Sequence, residues 1–138
     1  MTAPFSGGCV CGAIRYECTA EPVLVAHCCC TDCQRTSGAQ MSTNVLVPAP
    51  AFRITAGATA SYDTRGDSGN FVTRHFCARC GSNLYSMPQG MGTLAVIKAG
   101  TLDDSSWLQP GMSIYTDSAP RWAVLPDGIP KFPKMPPM

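Results

Sequence analysis

Apolar positions along the chain fall in short runs, at Ala13 to Tyr16, Pro22 to Ala26, Asn44 to Val47, Ala58 to Tyr62 and Leu94 to Ala99, separated by Gly, Pro, Asn and Asp. Runs of this length and boundary predict β-strands. The i, i+3, i+4, i+7 spacing of an amphipathic helix is scarce. Thr31 to Met41 and the acidic-capped stretch Asp103 to Leu108 can each form a helical turn or two. An all-β fold with little helix is expected. Gly and Pro together make 13 + 12 = 25 residues, which fits many turns. Five of the twelve prolines follow residue 125, so Pro126 to Met138 is expected to cross the surface in extended form.

The length of 138 residues suits one domain. We place it at residues 5–133, with 134–138 as a tail. Charged residues are scarce at 14%, where about 25% is usual, so long salt-bridged helices are disfavoured. The low charge also hints at a buried surface such as a homodimer. Ten Lys and Arg against nine Asp and Glu leave +1 with no basic stripe, so no nucleic-acid partner is expected. Met1 to Gly8 has neither the basic nor the apolar part of a secretory signal, and no apolar run approaches a membrane span. A cytoplasmic protein without membrane attachment is therefore expected. There thiols stay reduced, so the nine cysteines read as metal ligands or catalysts before disulfides.

Eight of those cysteines cluster, as Cys9-Val10-Cys11-Gly12, Cys28-Cys29-Cys30-Thr31-Asp32-Cys33 and Cys77-Ala78-Arg79-Cys80-Gly81, with Cys18 apart. Alternate strand residues share a face, so C-x-C can turn two thiolates to one metal, and C-x-x-C does so around a tight turn. Gly12 and Gly81 supply the positive φ that such a knuckle needs. With Cys18 and Cys29 set aside, seven thiols divide most evenly as four plus three. Cys9, Cys11, Cys77 and Cys80 would close a structural zinc site. Cys28, Cys30 and Cys33 would hold a second zinc with its fourth position open, the pattern of a catalytic site. Two other readings stand beside this: His27, Cys29 or Cys18 completes the second site, or the C-x-x-C pair is redox-active or binds iron–sulfur.

The motifs Gly8-Cys9-x-Cys11-Gly12-x3-Tyr16, Cys28-x-Cys30-x2-Cys33, Phe76-Cys77-x2-Cys80-Gly81-Ser82, Gly100-Thr101-Leu102-Asp103 and Ile114-Tyr115, continuing to Trp122 and Asp127-Gly128-Ile129-Pro130, stand in one order. Together they resemble the glutathione-dependent formaldehyde-activating enzyme family, which is related to centromere protein V. The resemblance spans about residues 5 to 133. It implies a small zinc-binding β fold of twisted antiparallel sheets, shared with a Rab guanine-nucleotide-release factor, and a carbon–sulfur lyase activity of the S-(hydroxymethyl)glutathione synthase type. It also implies a structural zinc on Cys9, Cys11, Cys77 and Cys80, and a more labile catalytic zinc on Cys28, Cys30 and Cys33. Cys29 and Ser113 depart from the family pattern, each standing where His is common.

The expected substrate is an adduct of glutathione, or a similar thiol, with formaldehyde or another small aldehyde. Arg35, two residues past Cys33, is the nearest obvious cation for a glutathione carboxylate. His27 and His75 read as packed or supporting residues. Trp107, Trp122, Tyr16, Tyr62, Tyr85 and Phe76 read as core. The alternative from another class is a non-enzymatic zinc module that binds a protein partner or responds to redox state.

Overall fold

The computed structural model describes residues 2–137. Its ten strands form two sheets: a three-stranded antiparallel one, β1 (Phe5–Gly8), β2 (Arg15–Cys18) and β5 (Phe52–Ala56), in the order β1-β2-β5, and a larger one. The larger sheet runs β10-β3-β4-β9-β8-β7-β6. Its strands are β3 (Leu24–Cys28), β4 (Ser42–Pro48), β6 (Ala60–Arg65), β7 (Phe71–Phe76), β8 (Asn83–Pro88), β9 (Leu94–Lys98) and β10 (Met112–Ile114). Pairing is antiparallel except that β10 lies parallel to β3. One helix, α1 (Thr31–Ser37), follows β3 and ends at Gly38, whose φ of 66° gives a left-handed cap. The fold is therefore all-β with little helix. No helix of the described residues is long and apolar enough to cross a membrane.

Each expected strand run overlaps an observed strand, and the Thr31 stretch is the helix. Asp103 to Leu108 is not helical. There Asp104 Oδ1 accepts hydrogen bonds from the Ser106 N–H at 2.9 Å and the Ser106 hydroxyl, a local bond that competes with helix formation.

Strand alternation gives the larger sheet two unlike faces. Val25, Val45, Val47, Ala95 and Ile97 bury one face in the main core with Tyr16, Ile14 and Leu84. On the other face the partners in sequence, Leu24, Ala26, Leu46, Val96 and Lys98, line a cavity. The smaller sheet packs on the first face, where the Phe52 ring sits tilted between Tyr16 and Tyr85 at ring separations of 5.3 and 4.6 Å.

Two aromatic expectations need correction. Trp107 joins the core against Phe5, but Trp122 and Tyr62 are each 70% exposed. Trp122 lies in a turn after β10, and Tyr62 on the edge strand β6, where no strand covers its outer side. The proline-rich end is also more than a surface crossing. Phe132 N–H donates to Ser113 O, and Ser113 N–H to Pro130 O, both at 2.9 Å. Phe132 packs on Cys28, Cys33 and Ile114. Tyr115 N–H donates to Lys134 O, and Met135 to Pro137 border the cavity. Met138, the last residue of the expected tail, lies outside the described residues.

Candidate metal centres and cavity

The loops of two hairpins carry the first cysteine group. Between β1 and β2, Gly12 N–H closes a turn on Cys9 O at 3.1 Å with φ at 80°, and Ile14 N–H donates to Cys9 Sγ at 3.2 Å. Between β7 and β8, Gly81 N–H closes the equivalent turn on Cys77 O at 2.8 Å, with φ at 81°. Both glycines thus take the left-handed conformation expected of them. The four sulfurs of Cys9, Cys11, Cys77 and Cys80 lie within 4.8 Å of one another, with Cys9 to Cys11 at 3.5 Å and Cys11 to Cys77 at 3.8 Å. A tetrahedron of sulfurs about 2.3 Å from a zinc has edges near 3.8 Å, so this cluster fits one closely. The Ser82 hydroxyl and backbone hold the Cys80 thiol down to about 5, favouring the thiolate that a metal binds. Because β1 and β2 belong to the smaller sheet and β7 and β8 to the larger, this cluster pins the two sheets together.

Cys28 ends β3, Cys30 caps α1, and Cys33 sits in its first turn. Cys30 Sγ accepts the Cys33 N–H at 3.3 Å, the role an N-cap side chain serves. These three sulfurs also lie within 4.8 Å of one another. Hydrogen bonds from Cys28 and Cys30 hold the Cys33 thiol far below its usual range, helped by Lys98 and Arg74, while Cys30, Cys33 and burial push Cys28 up. Three thiols so close cannot all ionise without a counter-ion, and a divalent metal supplies one. Both clusters can hold a metal ion.

Among the described residues no fourth His, Cys, Asp or Glu joins the three. Cys29 is fully buried outside the group, its N–H donating to Ile114 O at 3.0 Å. Cys18 lies in the main core. His27 Nδ1 bonds Thr43 Oγ1 at 2.8 Å, and His75 stacks flat on Tyr85 at 4.4 Å.

The triad borders a cavity of about 460 Å³, within the range of small-molecule sites. Its floor is the second face of the larger sheet. Its walls include the β6–β7 turn at Arg65 to Asp67, and Tyr115, Phe132 and Lys134 to Pro137. Tyr115 is in the left-handed region, at φ 55°, a strain that non-glycine residues rarely carry. Burial, then the Asp67 carboxylate, pushes its phenol up to about 12. Arg74 and Lys98, each 7% exposed, also face this space.

Residues 4–118 match the family described as glutathione-dependent formaldehyde-activating enzyme. The chain belongs to this family. A crystal structure of a Rhodobacter sphaeroides protein superimposes with a TM-score of 0.60 over 91% of this chain and 98% of that one. At 17% identity, that likeness speaks for the fold alone.

Cys28, Cys30 and Cys33 line this cavity. Arg35 does not reach it. Two helical positions beyond Cys33, it is turned about 200° around α1 and stands exposed outside the cavity lining. The buried cations that face the cavity are Lys98 and Arg74, which sequence reasoning missed because each sits in an ordinary strand. A signal was present in Lys98: it interrupts the continuous apolar run Leu94 to Ala99 at a position whose neighbours are buried.

Proposed function

We infer that this chain is a zinc-dependent enzyme of the carbon–sulfur lyase type, forming or breaking the bond between glutathione, or a similar thiol, and formaldehyde or another small aldehyde. The observation that carries this reading is the three-thiol cluster, with no fourth ligand among the described residues, opening on a cavity of small-molecule size. Cys28, Cys30 and Cys33 would hold the catalytic zinc, and Cys9, Cys11, Cys77 and Cys80 a structural one, two per chain. Held by these three thiolates, zinc would supply a soft Lewis-acid position that favours the thiolate form of a small thiol at neutral pH.

The residues of the chain do the rest. The β3–α1 junction fixes the three sulfurs on one side of the cavity, so a thiol held there points its sulfur into the enclosed space. Addition of that sulfur to the aldehyde carbon forms the C–S bond and turns the carbonyl oxygen into a hydroxyl. The proton lost by the thiol balances the one the oxygen gains. Tyr115, packed against Cys28 and Cys33 and kept protonated, is the hydroxyl of the cavity wall suited to donate to that oxygen. Met112, Ile114 and Phe132 exclude water around it.

The test follows adduct formation between glutathione and formaldehyde by exchange NMR. Zinc-loaded protein should accelerate the exchange, Cys30→Ser should abolish the acceleration, and Tyr115→Phe should lower it about 100-fold. A zinc-loaded wild-type protein that leaves the exchange at its uncatalysed rate would sink the reading in favour of a binding module.

A further inference from the structure

Lys98 and Arg74 are buried cations without an acidic partner. Among the described residues the two ion pairs are Arg15–Asp103 and Arg53–Glu17, both on the surface. Lys98 Nζ donates to Asn44 Oδ1 at 2.9 Å, and Asn44, held in turn by the Ser42 hydroxyl, fixes where the ammonium stands. Arg74 Nε donates to Thr64 Oγ1 at 3.0 Å, and among the described residues its terminal nitrogens have no acceptor. Those nitrogens are nevertheless not sealed off, since Ser113 Oγ is the one enclosed side-chain N or O without a partner among the described residues. They open into the cavity. Burying an unpaired charge is expensive, so two of them facing one cavity call for an anion.

The triad accounts for part of this demand and leaves a remainder. Three thiolates and one divalent ion sum to −1 and Lys98 and Arg74 add +2, about +1, which a bound thiolate would bring to about zero. What is left over is donor groups, since beyond Asn44 and Thr64 the ammonium and the guanidinium end have no oxygen acceptor among the described residues. At the rim, Arg65 and Lys134 balance Asp32 and Asp67. A thiol sulfur is committed to the metal position, yet a guanidinium fork and an ammonium group seek oxygen acceptors. The acceptor must come from another part of the same molecule.

We propose that Lys98 and Arg74 form a carboxylate clamp that restricts this site to anionic thiols, the carboxylate sitting on the sheet floor while the sulfur points to Cys28, Cys30 and Cys33. This deepens the enzymatic reading above and rests on it. Lys98 pairs with Asn44 in the register and Asn44 with Ala26, two residues before Cys28. Two strands across and two residues along place the Lys98 and Cys28 backbones about 12 Å apart. The long lysine side chain shortens that span from its end. In a cysteinyl peptide the carboxylate one residue beyond the thiol lies within about two residue lengths, or ~7 Å, which suits the gap that remains.

The test measures binding of glutathione and of its diethyl ester, both carboxylates blocked, to zinc-loaded protein by titration calorimetry. Wild type should bind glutathione about tenfold or more tighter than the ester. Lys98→Met should bring the ratio towards one, and Arg74→Met should lower it, with metal content and circular dichroism confirming the fold of each. A change at the metal position that both sulfurs meet alike cancels in the ratio. Equal wild-type binding of the two thiols, or a wild-type ratio in both variants, would overturn the clamp and leave the enzymatic reading standing. A zinc-loaded wild type that binds neither thiol would overturn both.

Discussion

The Val10 N–H donates to the Ser82 hydroxyl at 3.1 Å, and that hydroxyl lies 3.3 Å from Cys80 Sγ. One serine thus links a knuckle of the smaller sheet to a ligand carried by the larger sheet. Ser82→Ala should leave the protein folded but lower its stability by about 1 kcal/mol and loosen the four-cysteine site. Cys77→Ser removes a ligand and should prevent folding, because a structural zinc contributes roughly 10–16 kcal/mol in small peptides, as much as a whole domain retains. Thermal melting and metal content per chain check both. A soluble Cys77→Ser protein melting like wild type would refute the structural role.

The two clusters should release metal unequally. Four thiolates between two hairpins must all be displaced, whereas the triad offers three and faces a cavity. Mild chelation should therefore remove about one metal per chain with the fold intact, read by metal analysis and circular dichroism. Loss of both metals in step, or of neither, would contradict this difference.

Gly7, in β1, lies against the core where a side chain has no room. A Cβ there would lie 2.6 Å from Tyr16 Cζ and closer still to the Thr101 carbonyl oxygen, while Tyr16 itself is held by the Thr101 hydroxyl at 2.7 Å. Gly7→Ala should cost about 1–3 kcal/mol as an overpacked core site, seen as a lowered Tm. A Tm within a degree of wild type would mean that β1 can move away from Tyr16.

Asp103 pairs with Arg15 and accepts the Ser6 hydroxyl at 2.8 Å, which holds its carboxyl down to about 2. A depressed carboxyl stabilises the fold fully above its ordinary value near 3.9 and loses that contribution as pH falls through about 2. The pair is half exposed, so Asp103→Asn should cost less than about 1 kcal/mol. That difference should stay constant from pH 8 to pH 5 in denaturant titrations. The wild-type loss of stability on the acid side of this range should follow thiolate protonation and metal release instead. A difference that vanished already at pH 6 would show that the Arg15 pair does not hold Asp103 down.

Strand runs such as Asn44 to Val47 were legible because Val45, Leu46 and Val47 of β4 are buried in succession on both faces. The grouping of the cysteines into four and three was legible because thiol spacing and glycine punctuation are local. What the sequence hid depends on long-range placement. Arg74 stands in a β7 run that alternates like any edge-proximal strand, and its burial follows from β6, β8 and the closing tail. Phe132 lies among prolines that suggest an idle extension, and only the pairing of Ser113 with Lys131 turns it into a cavity wall. Trp122 shows the converse, a large apolar residue whose exposure no local pattern announces.

Among the described residues, Cys28, Cys30 and Cys33 group without a fourth His, Cys, Asp or Glu. Three clustered thiols form an incomplete tetrahedron, and Cys29, the one thiol close in sequence that might complete it, is turned into the protein with its backbone bonded to Ile114. In cobalt-substituted protein the starting spectrum should therefore report seven thiolates for two metals. Added glutathione should strengthen the sulfur-to-metal charge-transfer band as an eighth joins. Cys30→Ser should abolish the change without unfolding the chain, since Cys30 caps a helix of seven residues and Ser is an equally good N-cap. The four-cysteine site, already complete, should contribute nothing to the difference spectrum. A spectrum showing eight thiolates before any glutathione is added would mean that Cys29 or Cys18 turns inward to close the site, and catalysis at an open metal position would have to be abandoned.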